Sequence, residues 1–310
     1  MTMSETDKRG DELRRLASLA SLAIAVALVG VKLTAWLLTG SMVLLSAAMD
    51  ALVDTAAALL TFAGVRYAGR PPDLQHRFGH GKGEALAAFA QGVVLGGAGI
   101  VLALQSAVRL VMPAELTQVA FGVWVVIGSL VVASGLVVMQ TMVVRRTGSA
   151  AIAADRAHYI ADVAVNLSAL AALVVTARTG WHRADPAFAL AISLYMLWNS
   201  YRIGAAAMTQ LLDRELPAPD RDRIVAAVTG CPGARGIHDL RTRHAGDRIF
   251  VEFHLEVDGH MSVDAGHAIG DMAESRVMAL FPTTVEVTAH LEPAGIKDDR
   301  LDDRLPDEAA

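Results

Sequence analysis

A single cysteine, Cys231, stands in 310 residues. One thiol excludes an intrachain disulfide and any thiolate-rich metal centre. Charge is also scarce: 19% of residues are Asp, Glu, Lys or Arg, against about 25% in soluble domains. The net charge of −5 comes without a basic stripe suited to nucleic acid. A phosphate loop is missing as well. Gly79-His80-Gly81-Lys82 fails the pattern G-x-x-x-x-G-K-[ST] at both ends, with His76 where the first Gly belongs and Gly83 in place of Ser/Thr. Chemistry driven by ATP is therefore not expected. Within the apolar segments no Ser or Cys nucleophile sits beside a base, so an intramembrane hydrolase is disfavoured and the chain is not read as an enzyme.

Apolar residues are abundant, at 54%, and the mean hydropathy is +0.42. The few charges avoid long segments and gather between them. A helix crossing the hydrocarbon core needs roughly 20 apolar residues, and six stretches qualify: about Leu16–Leu38, Ser41–Tyr67, Glu84–Met112, Ala120–Val144, His158–Ala177 and Pro186–Leu211. The first run is too long for a signal h-region and a second follows at once, so Lys8, Arg9, Arg14 and Arg15 read as a cytoplasmic flank. Arg66, Arg70, Arg77 and Lys82 follow the second stretch, and Arg145, Arg146 and Arg156 the fourth. The first two outer turns carry no basic residue, and only the third, with Arg178 and Arg183, is mixed. The positive-inside rule then places both termini in the cytoplasm.

After Leu212 the pattern changes. Pro217 is suited to starting a helix, and Ile224, Val225 and Val228 follow at helical spacing. Arg248–Asp258 alternates, with Ile249, Val251, Phe253, Leu255 and Val257 on one face, and 238–244 suits its hairpin partner. Val263–Leu280 reads as a helix and Thr284–Leu291 as another strand. The expected organisation is an N-terminal segment 1–15, a six-helix membrane domain 16–212, a small cytoplasmic α+β domain 213–293 of order α-β-β-α-β, and a charged, disordered tail 294–310.

Ionisable residues inside the spans carry the functional argument. Asp50 and Asp54 stand at i and i+4 in the second span, and His158 and Asp162 at i and i+4 in the fifth, each pair on one helical face. Carboxylates deep in a span are costly and mark a functional site by default. If the two helices face one another, three carboxylates and an imidazole converge in a tetrahedral zinc-type set. The alternative makes Asp50 and His158 solvated helix ends near the interface. Lys32 is read as snorkelling to the outer interface, Asn166 as a helix-packing hydrogen bond, and Gly92-x-x-x-Gly96 as close helix packing.

From Asp73-Leu-Gln-His76-Arg-Phe-Gly-His80-Gly-Lys82 onward the sequence resembles the cation diffusion facilitators, particularly the bacterial zinc and iron exporters. Further support comes from A-M-D-A-L-V-D-T (48–55), F-G-H-G-K-G-E-A-L-A-A (78–88), A-H-Y-I-A-D-V (157–163), W-H-R-A-D (181–185) and H-D-L-R-T-R (238–243). The likeness runs from about Leu16 to Pro293. It implies that Asp50, Asp54, His158 and Asp162 form the transport site, and that Asp73, His76 and His80 form a second site in the cytoplasmic loop after the second helix. It also implies a ferredoxin-like C-terminal domain that binds metal at a homodimer interface through His238, His254, His267, His290 and Glu292. Relatives tend to carry Asp at this last position, and the extra methylene of Glu292 still permits ligation. Lys82 and Asp213 resemble an intersubunit salt-bridge pair near the membrane surface.

The expected function is efflux of a divalent cation, Zn²⁺ first with Cd²⁺ and Fe²⁺ as alternatives, across the bacterial inner membrane. Metal binding requires neutral His158 and ionised carboxylates, so protons compete for the same groups. Alternating access then gives metal–proton antiport without ATP. The competing reading is a membrane-anchored sensor or scaffold that binds metal without moving it.

Overall fold

The computed structural model describes residues 5–39, 42–112, 119–181, 183–295, 300 and 304. The expected disordered tail therefore lies almost entirely outside the described residues. The chain divides into two compact units, residues 1–208 and 209–310.

The first unit is a bundle of six long helices: α1 (Glu5–Thr39), α2 (Met42–Ala68), α3 (Lys82–Val111), α4 (Val119–Thr147), α5 (Ala150–Thr179) and α6 (Ala184–Leu211). Among the described residues, four of them, α1 to α4, contain stretches long and apolar enough to cross a membrane. Two helices begin well before their expected starts. Helix α1 starts at Glu5, because Asp11 pairs with Arg15 at 2.8 Å and with Arg14 at 3.6 Å along the same helix. Helix α5 starts at Ala150, not His158, with Ser149 accepting the Ile152 amide at 3.4 Å as its cap. Ser149 Oγ in turn donates to buried Glu84 at the head of α3 (2.5 Å), whose other oxygen lies 3.5 Å from Arg14 Nε.

Small residues let these helices approach closely, as helix packing in lipid requires. Ala17, Ala51, Ala57, Ala58, Ala85 and Ala88 are all buried. Gly92 and Gly96 face Ser200 of α6, whose hydroxyl donates to the Gly92 carbonyl at 2.7 Å. The tightest approach is at Gly64, where an added Cβ would stand 2.2 Å from Ala87 Cβ and 3.2 Å from the Gly83 carbonyl. Overpacking of this kind costs about 1–3 kcal/mol. Gly64→Ala is expected to lower the thermal unfolding midpoint of the solubilised protein by roughly 4–10 °C, with Ala87→Gly restoring it. An unchanged midpoint would show that α2 and α3 separate freely.

The second unit holds α7 (Ala218–Thr229), β1 (Gly236–Ala245), β2 (Arg248–Val257), α8 (Val263–Met278) and β3 (Thr284–Pro293). Pro217 precedes α7 directly, and Ser262 caps α8 by accepting the Ala265 amide at 3.2 Å. The sheet order is β1-β2-β3, with β1 antiparallel and β3 parallel to β2. Its inward face, Ile249, Val251, Phe253, Leu255 and Val257, packs against Ile224, Val228, Ala273 and Val277 of the two helices. The polar face is thereby left for chemistry.

Candidate metal centres

The helical bundle brings α2 and α5 together with their ionisable faces in register. Asp54 Oδ1 lies 3.2 Å from His158 Nε2, and Asp162 Oδ2 lies 3.7 Å from the same nitrogen. One ligand atom from each of the three falls within 4.8 Å of the other two. His158 is buried, its Nδ1 without a hydrogen-bond partner among the described residues, while both carboxylates are about one-third exposed. They open onto a cavity of about 180 Å³ also lined by Lys32, Tyr159 and Asn166. Asp50 stands one turn before Asp54 on α2, but its side chain lies outside the described residues. Lys32 lines the same cavity as the two carboxylates. Asn166 donates along its own helix to the Asp162 carbonyl at 2.8 Å.

In the loop between α2 and α3, Asp73 Oδ1 accepts the backbone amides of Gln75 (2.9 Å) and His76 (2.7 Å), an Asx turn that folds the segment back. These amides, His76 first, hold the Asp73 carboxyl below the usual carboxylate range. Gly79 completes the reversal at φ 83°, a conformation glycine adopts without penalty. His76 Nδ1 then lies 3.3 Å from Asp73 and His80 Nε2 lies 3.4 Å from it. His80 is 6% exposed, packed edge-on against Tyr67, and its buried Nδ1 has no hydrogen-bond partner among the described residues. Two imidazoles and a carboxylate held ionised suit a divalent cation.

On the polar face of the sheet, His238, His254 and His290 occupy one row across the three strands, because His238 pairs with His254 and His254 with His290. The next row on that face is Gly236, Glu256 and Glu292. Glu292 is the node: its carboxylate lies 2.8 Å from His254 Nδ1, 3.2 Å from His238 Nε2 and 3.4 Å from His290 Nε2. Glu256 reaches His238 Nδ1 at 3.3 Å across Gly236, where a Cβ would crowd its Oε2 at 2.9 Å. A β-bulge between His238 and Arg241, with Asp239 at φ 51°, turns Asp239 toward the same cluster. His267 does not join it. It projects from α8, largely exposed, with Asp271 at 3.6 Å, because α8 covers the opposite face of the sheet.

Asp239 and Glu256 were not expected from the sequence. Glu256 was legible, two residues from His254 on an alternating strand. Asp239 was not, since strict alternation turns it away from His238 and only the bulge brings it back. Lys82 opens α3, and Asp213, in the other unit, takes the left-handed conformation (φ 55°) with Arg243 at 3.5 Å.

Comparison with known proteins identifies the family. Residues 18–212 match the family model of the cation efflux transmembrane domain, and 216–294 that of the cation efflux protein cytoplasmic domain. Cation-efflux pump FieF of Klebsiella pneumoniae subsp. pneumoniae is 42% identical over 280 residues, covering 90% of this chain and 93% of the relative. The protein of the same name from Salmonella choleraesuis is 41% identical over the same shares. Among solved structures, CzrB (Zn form) is 37% identical, covering 28% of this chain and 99% of that one, at a TM-score of 0.26. Through its matched transmembrane domain and these near full-length relatives, the chain belongs to the cation diffusion facilitator family of multi-pass membrane transporters for cation efflux.

Proposed function

We propose that the protein exports Zn²⁺-class divalent cations from the cytoplasm across the bacterial inner membrane in exchange for protons. The observation that carries this reading is the Asp54–His158–Asp162 cluster, built from two helices at the wall of a cavity inside the helical bundle. An imidazole with carboxylates suits Zn²⁺ and Cd²⁺ while tolerating Fe²⁺. With no thiolate among the ligands, the cation exchanges readily, as a transporter needs. Asp50 completes the site as its fourth ligand. All six long helices span the membrane, with both termini in the cytoplasm, and the bundle alternates between inward and outward exposure of this site.

Protons enter because the ligands bind metal only when the imidazole is neutral and the carboxylates are ionised. A proton arriving from outside therefore displaces the cation, and a cytoplasmic cation displaces the proton. The loop centre (Asp73, His76, His80) and the sheet centre (His238, His254, His290, Glu292, with Asp239 and Glu256 beside them) hold Zn²⁺ that pins local structure. The C-terminal unit, ferredoxin-like in outline, pairs with a second copy to give a homodimer, and His267 and the Lys82/Asp213 pair serve that interface.

Purified protein in liposomes, with an imposed pH gradient and no nucleotide, is expected to move Zn²⁺ against its gradient and to lose that flux when a protonophore is added. Metal binding without gradient-driven flux would replace this reading by a membrane-anchored sensor.

A further inference from the structure

The transport-site reading leaves one buried carboxylate unused. Asp155 is 1% exposed and precedes His158 by three residues and Asp162 by seven, on the same face of α5. Its Oδ2 accepts Ser21 Oγ of α1 at 2.8 Å and Gln140 Nε2 of α4 at 2.6 Å, and its Oδ1 accepts Gln91 Nε2 of α3 at 3.1 Å. All three donors are at most 1% exposed. A serine hydroxyl has one hydrogen, here given to Asp155. The 3.3 Å contact between Ser21 Oγ and Tyr159 Oη therefore takes its hydrogen from the phenol, and Tyr159 lines the cavity beside Asp54 and Asp162.

One side chain thus ties α5 to three other helices, while α2, which supplies Asp54, packs on α5 directly. Moving α5 by one residue shifts it about 1.5 Å and turns it about 100°. That would break all three bonds to Asp155 and swing His158 away from Asp54.

We propose that Asp155 is a positioning residue of the transport site, fixing the height and rotation of α5 so that His158 and Asp162 close on Asp54. The inference rests on the transport-site reading above. The surroundings of Asp155 allow geometry to be separated from charge. Gln91 Oε1 and Gln140 Oε1 are buried without a hydrogen-bond partner among the described residues. An asparagine at this position can give its amide hydrogen to either one after a flip of that glutamine. Asp155→Asn keeps the anchor without the charge, Asp155→Glu keeps the charge but adds a methylene where Gln140 already stands at 2.6 Å, and Asp155→Ala loses both.

The test measures KM for Zn²⁺ flux in liposomes, together with the optical spectrum of Co²⁺ at the transport site, taken as a difference against Asp162→Ala. Removing an outer partner of a metal ligand costs about 10–100-fold in affinity. Asp155→Ala and Asp155→Glu are expected to raise KM at least about tenfold and to weaken the tetrahedral Co²⁺ bands, with Asp155→Asn staying within about threefold of wild type. A thermal unfolding midpoint and a monodisperse elution profile of the solubilised protein close to wild type report a folded helical bundle. Should Asp155→Ala not fold, Gln91→Leu and Gln140→Leu each remove one arm and are expected to raise KM about threefold. Wild-type KM and Co²⁺ spectrum in a folded Asp155→Ala protein, or in both glutamine variants, overturn the proposal. An Asn variant as impaired as Ala also overturns it, assigning the role to charge. A wild-type protein that moves no metal overturns the transport reading instead, which separates the two failures.

Discussion

Asp162→Ala is expected to abolish gradient-driven metal flux while leaving metal bound elsewhere on the chain. The carboxylate lies 3.7 Å from His158 Nε2 and faces the cavity with Asp54. Losing a group that only orients a metal ligand costs about 10–100-fold, so losing a ligand exceeds about a hundredfold. The remaining Asp54–His158 pair, at 3.2 Å, still satisfies the imidazole, so the variant folds. Proteoliposome flux under a pH gradient checks this, with bound metal per chain measured in parallel. Flux within about tenfold of wild type would remove Asp162 from the ligand set. Loss of all bound metal would mean that the three centres do not load independently.

The second large effect belongs to Glu292. Among the described residues, no other side chain on the sheet face reaches three imidazoles, and its carboxylate lies within 3.4 Å of all of them. Glu292→Ala leaves His238, His254 and His290 converging on an empty space, and the affinity of the sheet centre for Zn²⁺ is expected to fall by about a hundredfold. Glu292→Asp withdraws the carboxylate by about one bond length, 1.5 Å, a gap that a bound cation bridges; its loss is expected to stay within about tenfold. Equilibrium Zn²⁺ binding to the full chain, with Asp162→Ala silencing the transport site, distinguishes the variants. Equal affinity in Glu292→Ala and its parent would make the glutamate a bystander that neutralises histidines.

The residues that announced the membrane site did so because their cost is visible in one dimension. An acidic residue inside an apolar run is costly enough to stand out, and the i,i+4 spacing of Asp50/Asp54 and His158/Asp162 can be read without a structure. The same logic hid Asp155. With Arg156 next to it, the residue resembled the charged flank of a span, so the fifth helix was started at His158. Only the three-dimensional arrangement shows the hydroxyl and two amides that solvate it. The stripe Asp155, Tyr159, Asp162 was the available signal. In the sheet, alternation located the core face residue by residue, whereas the bulge at Asp239 broke the alternation that would have identified a further carboxylate.

The parallel pairing of β3 with β2 also sets an order of assembly. A hairpin forms locally, and β1 and β2 carry His238 and His254 side by side as soon as both are synthesised. The third imidazole and Glu292 sit on the last strand of the unit, which must cross over by way of α8 before it can dock. A nascent chain therefore holds no complete centre until residue 293 has emerged. A chain truncated before β3 lacks His290 and Glu292 and is expected to bind Zn²⁺ more weakly at the sheet face than the full chain.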